Sequence, residues 1–303
     1  MNLRALMYFD EVARTGSMRS AAENLNVAAT AVSRQIENLE EHFCAQLVER
    51  NNRGIRLTAA GRLLAERAGK TLRELDHVQQ LIEDLQGLES GKVVLCANGA
   101  IVANVIAPVL AEFSLQHPKL RFEVMVTSAR EAIQSLEGGV ADIAVTLFAP
   151  SSSGVTLRSQ SEILYDVIVN PSEPVAQAKD ISLRQLTDLP LALPDRGFAA
   201  RQAIESIFAA AKLELDPVFV TSSLDMLKEL VLRGAAVTLL PALSIHREIE
   251  AGMLRAVPVA DGMAVQTSVN LCVSADRQLS FAANALVDFI EDYMRKSAAN
   301  AHS

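Results

Sequence analysis

Residues 17–40 read SMRSAAENLNVAATAVSRQIENLE, and this stretch decides the fold of the N-terminal part of the chain. Ser17 belongs to the residue types that cap helices, and the apolar residues that follow it recur at helical spacing up to Leu25. After a short link at residues 26–27, a second apolar series has the same spacing: Val32, Ile36 and Leu39. Two short helices joined by a tight turn form a helix-turn-helix, whose second helix can enter a DNA major groove.

The sequence on either side extends this pattern. Residues 3–13 carry one apolar helical face that ends near Gly16, so a third helix precedes the pair. Residues 49–57, ERNNRGIRL, read as two short strands joined by a turn at Asn-Arg-Gly. We therefore predict an all-α DNA-binding domain with a small β wing, a winged helix-turn-helix, over residues 1–58.

A long helix is predicted after Thr58, which is placed to cap it. Its apolar positions span 21 residues in six steps, a mean of 3.5: Leu64, Ala68, Leu72, Leu75, Val78, Ile82 and Leu85. A repeat of 3.5 residues is typical of a coiled coil, so we interpret residues 59–90 as a linker and dimerisation helix with a hinge. The alternative is that this face packs within its own chain.

Strand and helix patterns alternate from Lys92 onward, which predicts an α/β domain over residues 91–303 with largely parallel sheets. Extended crossings near residues 159–164 and 265–270 divide it into two lobes with a cleft between them. We place lobe 1 at about 91–161 and 268–296, and lobe 2 at about 162–267. The predicted strands are 93–97, 121–127, 142–148, 163–170, 190–193, 218–221, 236–240 and 268–274.

Composition and charge exclude several classes of protein. Half of the residues are apolar and 21% are charged, as in soluble globular chains. Residues 1–65 have a net charge of +1, whereas the whole chain has −8. This balance excludes indiscriminate coating of nucleic acid but allows a small local reading surface. The longest apolar region, 93–113, is broken by polar residues and proline, so we expect a strand and a buried helix there and no membrane partner.

Histidines and cysteines give no sign of a metal site, a cofactor or a disulfide framework. The five histidines lack ligand spacing, and no glycine-rich phosphate loop is present. Three cysteines without a C-x-x-C pair suit a reducing cytoplasm. We expect Cys44, Cys96 and Cys272 to be small buried residues.

Several short motifs resemble those of the LysR-type transcriptional regulators, in the family's own order. They are Gly16-Ser17-Met18, Ala21-Ala22-Glu23-x-Leu25-x-Val27, Ala31-Val32-Ser33-Arg34-Gln35-Ile36-x-x-Leu39-Glu40, Leu47-Val48-Glu49-Arg50 and Arg56-Leu57-Thr58-x-x-Gly61. Gly138-Gly139-Val140-Ala141-Asp142-Ile143-Ala144 and Leu189-Pro190-Leu191 resemble recurring features of the family's effector-binding region. The resemblance covers the first 61 residues closely and the rest more loosely.

The resemblance implies a cytoplasmic regulator, and no enzyme, with a two-lobed effector domain similar to type 2 periplasmic binding proteins. It implies dimerisation through the linker helix, assembly into a homotetramer, binding to a double-stranded DNA operator with dyad symmetry, and control by a small-molecule effector. It leaves RNA polymerase open as a further partner. Two alternatives are an α/β enzyme or solute-binding protein with a helical appendage, and a regulator that needs no effector.

The predicted DNA contacts depart from the family pattern at one point. The recognition helix usually begins with Ser, then Gln, whereas this chain has Ala28 and Ala29. Ala28 cannot cap the helix, and Ala29 lacks the amide that reads adenine, although its methyl could touch a thymine methyl. Base and phosphate contact is therefore assigned to Thr30, Ser33, Arg34, Asn38, Arg50 and Arg53. The alternatives are a solvated Arg34, a Ser33 hydroxyl bonded to its own helix, and an Arg50 held by a local acid such as Glu49 or Glu40.

The effector residues are predicted from the rule that ligands collect at the carboxyl ends of parallel strands and at helix N-termini. In lobe 1 the rule selects Asn98, Gly99, Ala100, Thr127, Ser128 and Arg130. In lobe 2 it selects Asp195, Arg196, Gly197, Thr221 and Ser222. Arg130 and Arg196 would suit an effector that carries a carboxylate, and surface salt bridges are the alternative for both.

Overall fold

The computed structural model describes residues 2–51, 54–85, 90–260 and 265–301. The chain divides into two compact units, Met1–Leu88 and Glu89–Ser303.

The first unit contains three helices, a two-stranded wing and a long helix. In chain order these are α1 (Leu3–Thr15), α2 (Met18–Asn24), α3 (Ala29–Phe43), β1 (Val48–Asn51), β2 (Gly54–Leu57) and α4 (Ala59–Leu85). The Ser17 hydroxyl accepts from the Ser20 amide and caps α2, as predicted. Phe9, Val12 and Val32 are among the residues buried between the helices. The predicted winged helix-turn-helix and long helix are therefore confirmed.

The long helix α4 divides its apolar stripe between two environments. Ala68 is buried, and Leu64 and Leu72 pack against the core of the DNA-binding domain. For this first half the intramolecular alternative is correct, because α1 packs along α4. Further along, Leu75, Val78 and Ile82 are 45%, 41% and 50% exposed. The second half therefore presents an apolar stripe to solvent.

The second unit contains nine further strands and eight α-helical segments within the described residues. The strands are β3 (Gly91–Ala97), β4 (Leu120–Val126), β5 (Ile143–Leu147), β6 (Val155–Val169), β7 (Ala192–Pro194), β8 (Phe219–Thr221), β9 (Thr238–Pro241), β10 (Arg255–Val257) and β11 (Gln266–Ser274). The helices are α5 (Gly99–Ile101), α6 (Ala107–Gln116), α7 (Ala129–Glu137), α8 (Leu183–Leu186), α9 (Ala199–Ala210), α10 (Leu224–Leu232), α11 (His246–Glu250) and α12 (Phe281–Ala301).

Two lobes form around one long strand. In lobe 1 the strand order is β4-β3-β5-β11-β6, with β3 parallel to both β4 and β5. Residues 155–164 of β6 pair antiparallel with β11, and residues 165–169 pair with β9 and β10 in lobe 2. Parallel β7 and β8 continue the lobe 2 sheet through a bridge from Leu191 to Val237. The α/β two-lobed class is confirmed.

Two strand predictions in this unit are wrong. The sequence predicted a strand over 163–170, whereas β6 begins at Val155, because its polar first half is paired along β11. It also predicted largely parallel sheets, but β6, β9, β10 and β11 pair antiparallel. β6 and β11 run antiparallel to their neighbours, and the parallel strand pairs are β3 with β4, β3 with β5, and β7 with β8.

The apolar region at 93–113 forms strand β3 and then a helical stretch, Gly99–Gln116. By length and composition alone this stretch could cross a membrane. Its residues Ile101, Ile106, Val109 and Phe113 lie in the core of lobe 1, beside the sheet and α12. Between α5 and α6 the helix widens into a π-helical turn, Val102–Ile106. This turn was not predicted from the sequence.

Candidate DNA-binding and effector-binding sites

The recognition helix α3 has one buried and one exposed face. Its inner face is fixed by three fully buried side chains, Val32, Ile36 and Leu39. Thr30, Arg34 and Asn38 are exposed on the other side, four residues apart. Among the described residues no ion pair is found for Arg34, so its guanidinium is available to a ligand. Ser33 is half-buried beside this face.

The first turn of α3 is apolar and uncapped. Ala28 has the extended backbone of an N-cap residue but offers no side-chain hydrogen bond, as predicted. Ala29 and Thr30 follow it and are both exposed. The end of the helix that would face a groove therefore carries methyl groups and unbonded backbone N–H groups.

The wing is attached firmly to the helix-turn-helix. β1 and β2 form an antiparallel hairpin in which Arg50 is paired with Ile55. The Ile55 amide donates to the Gly16 carbonyl at 3.0 Å, which joins the wing to the turn after α1. Arg56 is exposed on β2. The predicted contact Arg53 lies outside the described residues.

An acidic groove lies between α3 and the wing, and the sequence analysis did not predict it. Its volume is about 390 Å³, and it is lined by Met18, Ser33, Ile36, Glu37, Glu40, Gln46, Val48 and Glu49. Glu40 accepts from the amides of Leu47 and Val48, so its carboxylate holds the start of the wing. The Glu40 carboxylate is thus engaged in hydrogen bonds to backbone amides. The carboxylates of Glu37, Glu40 and Glu49 make this groove unfavourable for phosphate.

At the cleft edge of lobe 1, two predicted effector residues are used by the protein itself. The Asn98 amide group donates to the Thr127 carbonyl at 3.3 Å and accepts from the Leu147 amide at 2.6 Å. Ser128 forms a capping box with Glu131 at the start of α7, and this hydrogen bond lowers the pKa of the Glu131 carboxyl. These side chains fix the ends of three strands and one helix.

Other groups at the same edge remain available. The Thr127 hydroxyl is buried beside the Cys96 thiol, and no oxygen or nitrogen partner is found for it among the described residues. Gly99 and Arg130 are exposed and Ala100 is half-buried. Asn98 makes no side-chain cap for α5; the Ile101 amide donates to the Asn98 carbonyl, which leaves the Gly99 and Ala100 amides to receive a ligand.

In lobe 2 the predicted residues form a similar edge. The Asp195 amide donates to the Thr221 carbonyl at 3.1 Å, which brings the two predicted loops together. The Asp195 carboxylate accepts from the Gly197 amide, and the Thr221 hydroxyl accepts from the Ser223 amide. Ser222 is exposed.

Arg196, the cation predicted for the effector site in lobe 2, forms an ion pair with Glu205. Arg196 donates to Glu205 at 3.0 Å, and Arg201 donates to the same oxygen at 2.9 Å. Arg201 is buried and also donates to the Pro194 carbonyl. These hydrogen bonds lower the pKa of the Glu205 carboxyl. Arg196 therefore forms a surface salt bridge, and its contact with an effector stays a prediction.

Comparison with known proteins covers both units. The description "Bacterial regulatory helix-turn-helix protein, lysR family" matches residues 3–62, and "LysR substrate binding domain" matches residues 86–295. The chain belongs to the LysR family of transcriptional regulators. The match along both units rules out an enzyme or solute-binding protein with a helical appendage.

Individual relatives agree with this assignment. The chain is 28% identical to the HTH-type transcriptional activator CmpR of Synechocystis sp., over 93% of this chain and 92% of CmpR. It is 30% identical to the HTH-type transcriptional regulator BbuR of Bordetella bronchiseptica, over 86% of this chain and 80% of BbuR. Its fold is similar to that of full-length CbnR complexed with target DNA, with a TM-score of 0.71 and 21% sequence identity. The match covers 98% of this chain and 100% of the CbnR chain.

In this LysR-type regulator, the residues that touch across the cleft are ones that the sequence analysis missed. The turn after β9, Ala242–Ile245, contacts α5 and the π-helical turn of lobe 1. Leu243 packs against the lobe 1 core, and Arg247 donates to the Ala103 carbonyl. The rule about carboxyl ends of parallel strands could have found them, because β9 runs parallel to β7 and ends at Pro241.

Proposed function

We propose that the regulator reads its operator through the exposed face of α3 and through the wing. Three features support this proposal: the exposed Arg34, the acidic groove on the neighbouring side, and the firm attachment of the wing. Arg34 is the observation that carries it, because a planar guanidinium can bond guanine or phosphate with two donors. The full set of contacts proposed is Thr30, Ser33, Arg34, Asn38, Arg50 and Arg53.

Selection from fragmented genomic DNA at near-physiological salt tests the proposal. Bound fragments should share an interrupted dyad, as expected of a two-fold dimer. Arg34→Ala should lower operator affinity by roughly ten- to a hundredfold, as for loss of a bidentate base contact. Arg19→Ala is the matched control, since Arg19 is exposed on α2 and paired with Glu23. Wild-type affinity for the Arg34 variant would refute the role of that residue.

We propose that residues 1–58 form the DNA-binding domain, residues 59–90 the linker and residues 91–303 the effector domain. The exposed stripe of Leu75, Val78 and Ile82 supports a homodimer through the linker helix, which further contacts would double into a tetramer. Val78→Asp should dissociate that dimer in sedimentation experiments, and an unchanged mass would refute the seam. Because operator DNA is the target, the protein is proposed to act in the cytoplasm, which fractionation of a tagged copy tests.

We propose that a small anion, a carboxylate above all, binds between the lobes. Support comes from two helix starts without side-chain caps, at Gly99 and Ala199, which lie at the carboxyl ends of β3 and β7. Since Arg196 shares Glu205 with Arg201, the cation role goes to Arg130. The proposed lining is Asn98, Gly99, Ala100, Thr127, Ser128 and Arg130 in lobe 1, and Asp195, Arg196, Thr221 and Ser222 in lobe 2.

A thermal-shift panel of small carboxylates and their uncharged amides tests this site. A ligand at about a hundred times its Kd should stabilise the protein by about 2.7 kcal/mol, and its amide should do much less. Arg130→Ala should reduce the shift, whereas Arg184→Ala, on α8 and outside the proposed lining, should leave it unchanged. Equal shifts from acids and amides would refute an anion site.

A further inference from the structure

The π-helical turn in lobe 1 has an identifiable chemical cause. In this turn the Ala107 amide donates to Val102, five residues back. In the same pattern the Ala103 carbonyl would accept from residue 108, which is proline and has no N–H. In the α-helical pattern the Asn104 carbonyl would lose its donor for the same reason. Pro108 therefore leaves carbonyl groups of this turn without a backbone partner.

Side chains from elsewhere in the domain use both carbonyls. The Tyr293 hydroxyl on α12 donates to the Asn104 carbonyl at 3.4 Å, within lobe 1. Arg247 Nη2 donates to the Ala103 carbonyl at 3.2 Å, and Arg247 belongs to α11 of lobe 2. The proline thus creates an acceptor in one lobe for a cation in the other.

Two neighbouring interactions fix the position of Arg247. Leu243, four residues earlier, packs its side chain against the core of lobe 1. Glu248, the next residue, forms an ion pair with Lys228 of α10 at 2.9 Å, and both side chains are largely buried. Ser223, on the cleft edge of lobe 2, caps the start of α10. A continuous series of contacts therefore runs from one cleft edge, through α10 and α11, to the other.

We propose that Arg247, Leu243 and their lobe 1 partners form an interlobe clasp that controls how far the lobes separate. This inference rests on the proposed effector cleft, because an effector between the lobes acts by making or breaking the clasp. The clasp joins α11 to the π-helical turn, in addition to the covalent connection that strand β6 makes between the lobes. A single exposed hydrogen bond shifts a two-state equilibrium only a few-fold, which is the size of coupling that an effector can reverse.

Hydrogen exchange on the full-length protein tests whether the clasp exists. Arg247→Met removes the donors and keeps the length of the side chain, and Arg255→Met makes the same change at an exposed arginine on β10 of lobe 2. The first variant should speed amide exchange in Ala242–Ile245, His246–Glu250 and the π-helical turn by roughly threefold or more. The control should not. Equal exchange in both variants would overturn the clasp.

Pro108→Ala provides a second, independent test. It returns an N–H to the helix, so the freed carbonyls regain backbone donors and the π-helical turn should become α-helical. Exchange in Ala242–Ile245 should then rise as in Arg247→Met, although no residue of lobe 2 has changed. Unchanged exchange in those residues would contradict the link between Pro108 and the clasp.

Operator binding separates the clasp from the proposed function. Arg247→Met should change operator affinity by roughly threefold or more, or change the length of the footprint by about one helical turn. Its melting temperature should stay that of the wild type. Faster exchange with wild-type DNA binding would overturn the regulatory role of the clasp. If neither the wild type nor the Arg247→Met variant selects any DNA, the proposed function fails. The exchange experiment still decides whether the clasp exists.

Discussion

Gly61 of α4 lies directly against the backbone of Leu47, so that a Cβ at position 61 would collide with the Leu47 carbonyl oxygen. The same carbonyl accepts from the Thr58 amide at 3.0 Å, and the Thr58 hydroxyl accepts from the Gly61 amide. The first turn of the linker helix is therefore joined to the segment that leads into the wing. This contact fixes the direction in which α4 leaves the DNA-binding domain.

Gly61→Ala should destabilise the DNA-binding domain by about 2 kcal/mol, because the colliding atoms belong to the backbone and cannot rotate away. Thermal unfolding measures the loss. Gly69→Ala is the control in the same helix, since its Cβ would meet only the movable ends of Arg73 and Asp10 and alanine favours helix. Equal melting temperatures for the two variants would contradict the close approach at Gly61.

Ala29 should read a thymine in the operator through its methyl group. Replacing single thymines by deoxyuridine in a selected operator should weaken binding about fourfold at the contacted position, as expected for about 0.8 kcal/mol per methyl group. Thymines outside the half-sites serve as controls. Ala29→Gly should make binding indifferent to the same replacement. A methyl effect of equal size in that variant would show that another residue reads the base.

The local pattern of the first 60 residues was sufficient to predict their fold, since each helix there carries its own apolar stripe, and all but α3 have a side-chain cap. Ser17 and Thr58 cap their helices as predicted. The first half of β6 could not be predicted, because its polar residues become a strand only by pairing with β11, more than a hundred residues later. Strands defined by distant pairing leave little signal in their own sequence.

The candidate sites were predicted as regions rather than as side chains. The rule that ligands collect at the carboxyl ends of parallel strands indicated the loops at Asn98 and Asp195. It does not say which side chains there will form hydrogen bonds with the protein's own backbone. Asn98 and Ser128 turned out to bind neighbouring strands and helix termini. Arg247 donates to the Ala103 carbonyl, 144 positions away, and such a contact appears only in three dimensions.

Cys44 should be the only thiol that reacts quickly in the folded protein. The expectation that all three cysteines are buried is wrong for Cys44, which follows the last turn of α3 and is exposed. Burial raises the pKa of Cys96 and raises that of Cys272 to about 11, so few thiolates form there.

Titration with a maleimide at pH 8 checks this expectation. The native protein should bind one label per chain, and the protein in denaturant should bind three. Cys44→Ser should remove the native reaction and leave two labels after denaturation. Two rapid labels on the native wild type would show that lobe 1 exposes one of its thiols.

Asp166 should make the folded protein less stable at neutral pH than at acidic pH. It lies on β6 opposite Leu240, and strand alternation places it on the same face as Ile168, which is buried. Burial raises the pKa of the Asp166 carboxyl above its usual value. The folded state therefore binds the proton more tightly than the unfolded chain. Ionisation then disfavours folding at neutral pH, and the penalty disappears as the pH falls through the raised folded pKa.

Asp166→Asn should accordingly raise the melting temperature at pH 7.5 by roughly 2–4 °C, the shift expected of about 1 kcal/mol in a domain of this size. The gain should shrink as the pH falls toward 3.8, the ordinary pKa of an aspartate, because the folded wild-type carboxyl takes up its proton above that value. Glu162→Gln, at an exposed position of the same strand, should change little at either pH. A gain that stays constant from pH 7.5 to pH 4 would mean that the amide stabilises the strand for a reason other than charge, because only ionisation of Asp166 can make the difference fade with acidity.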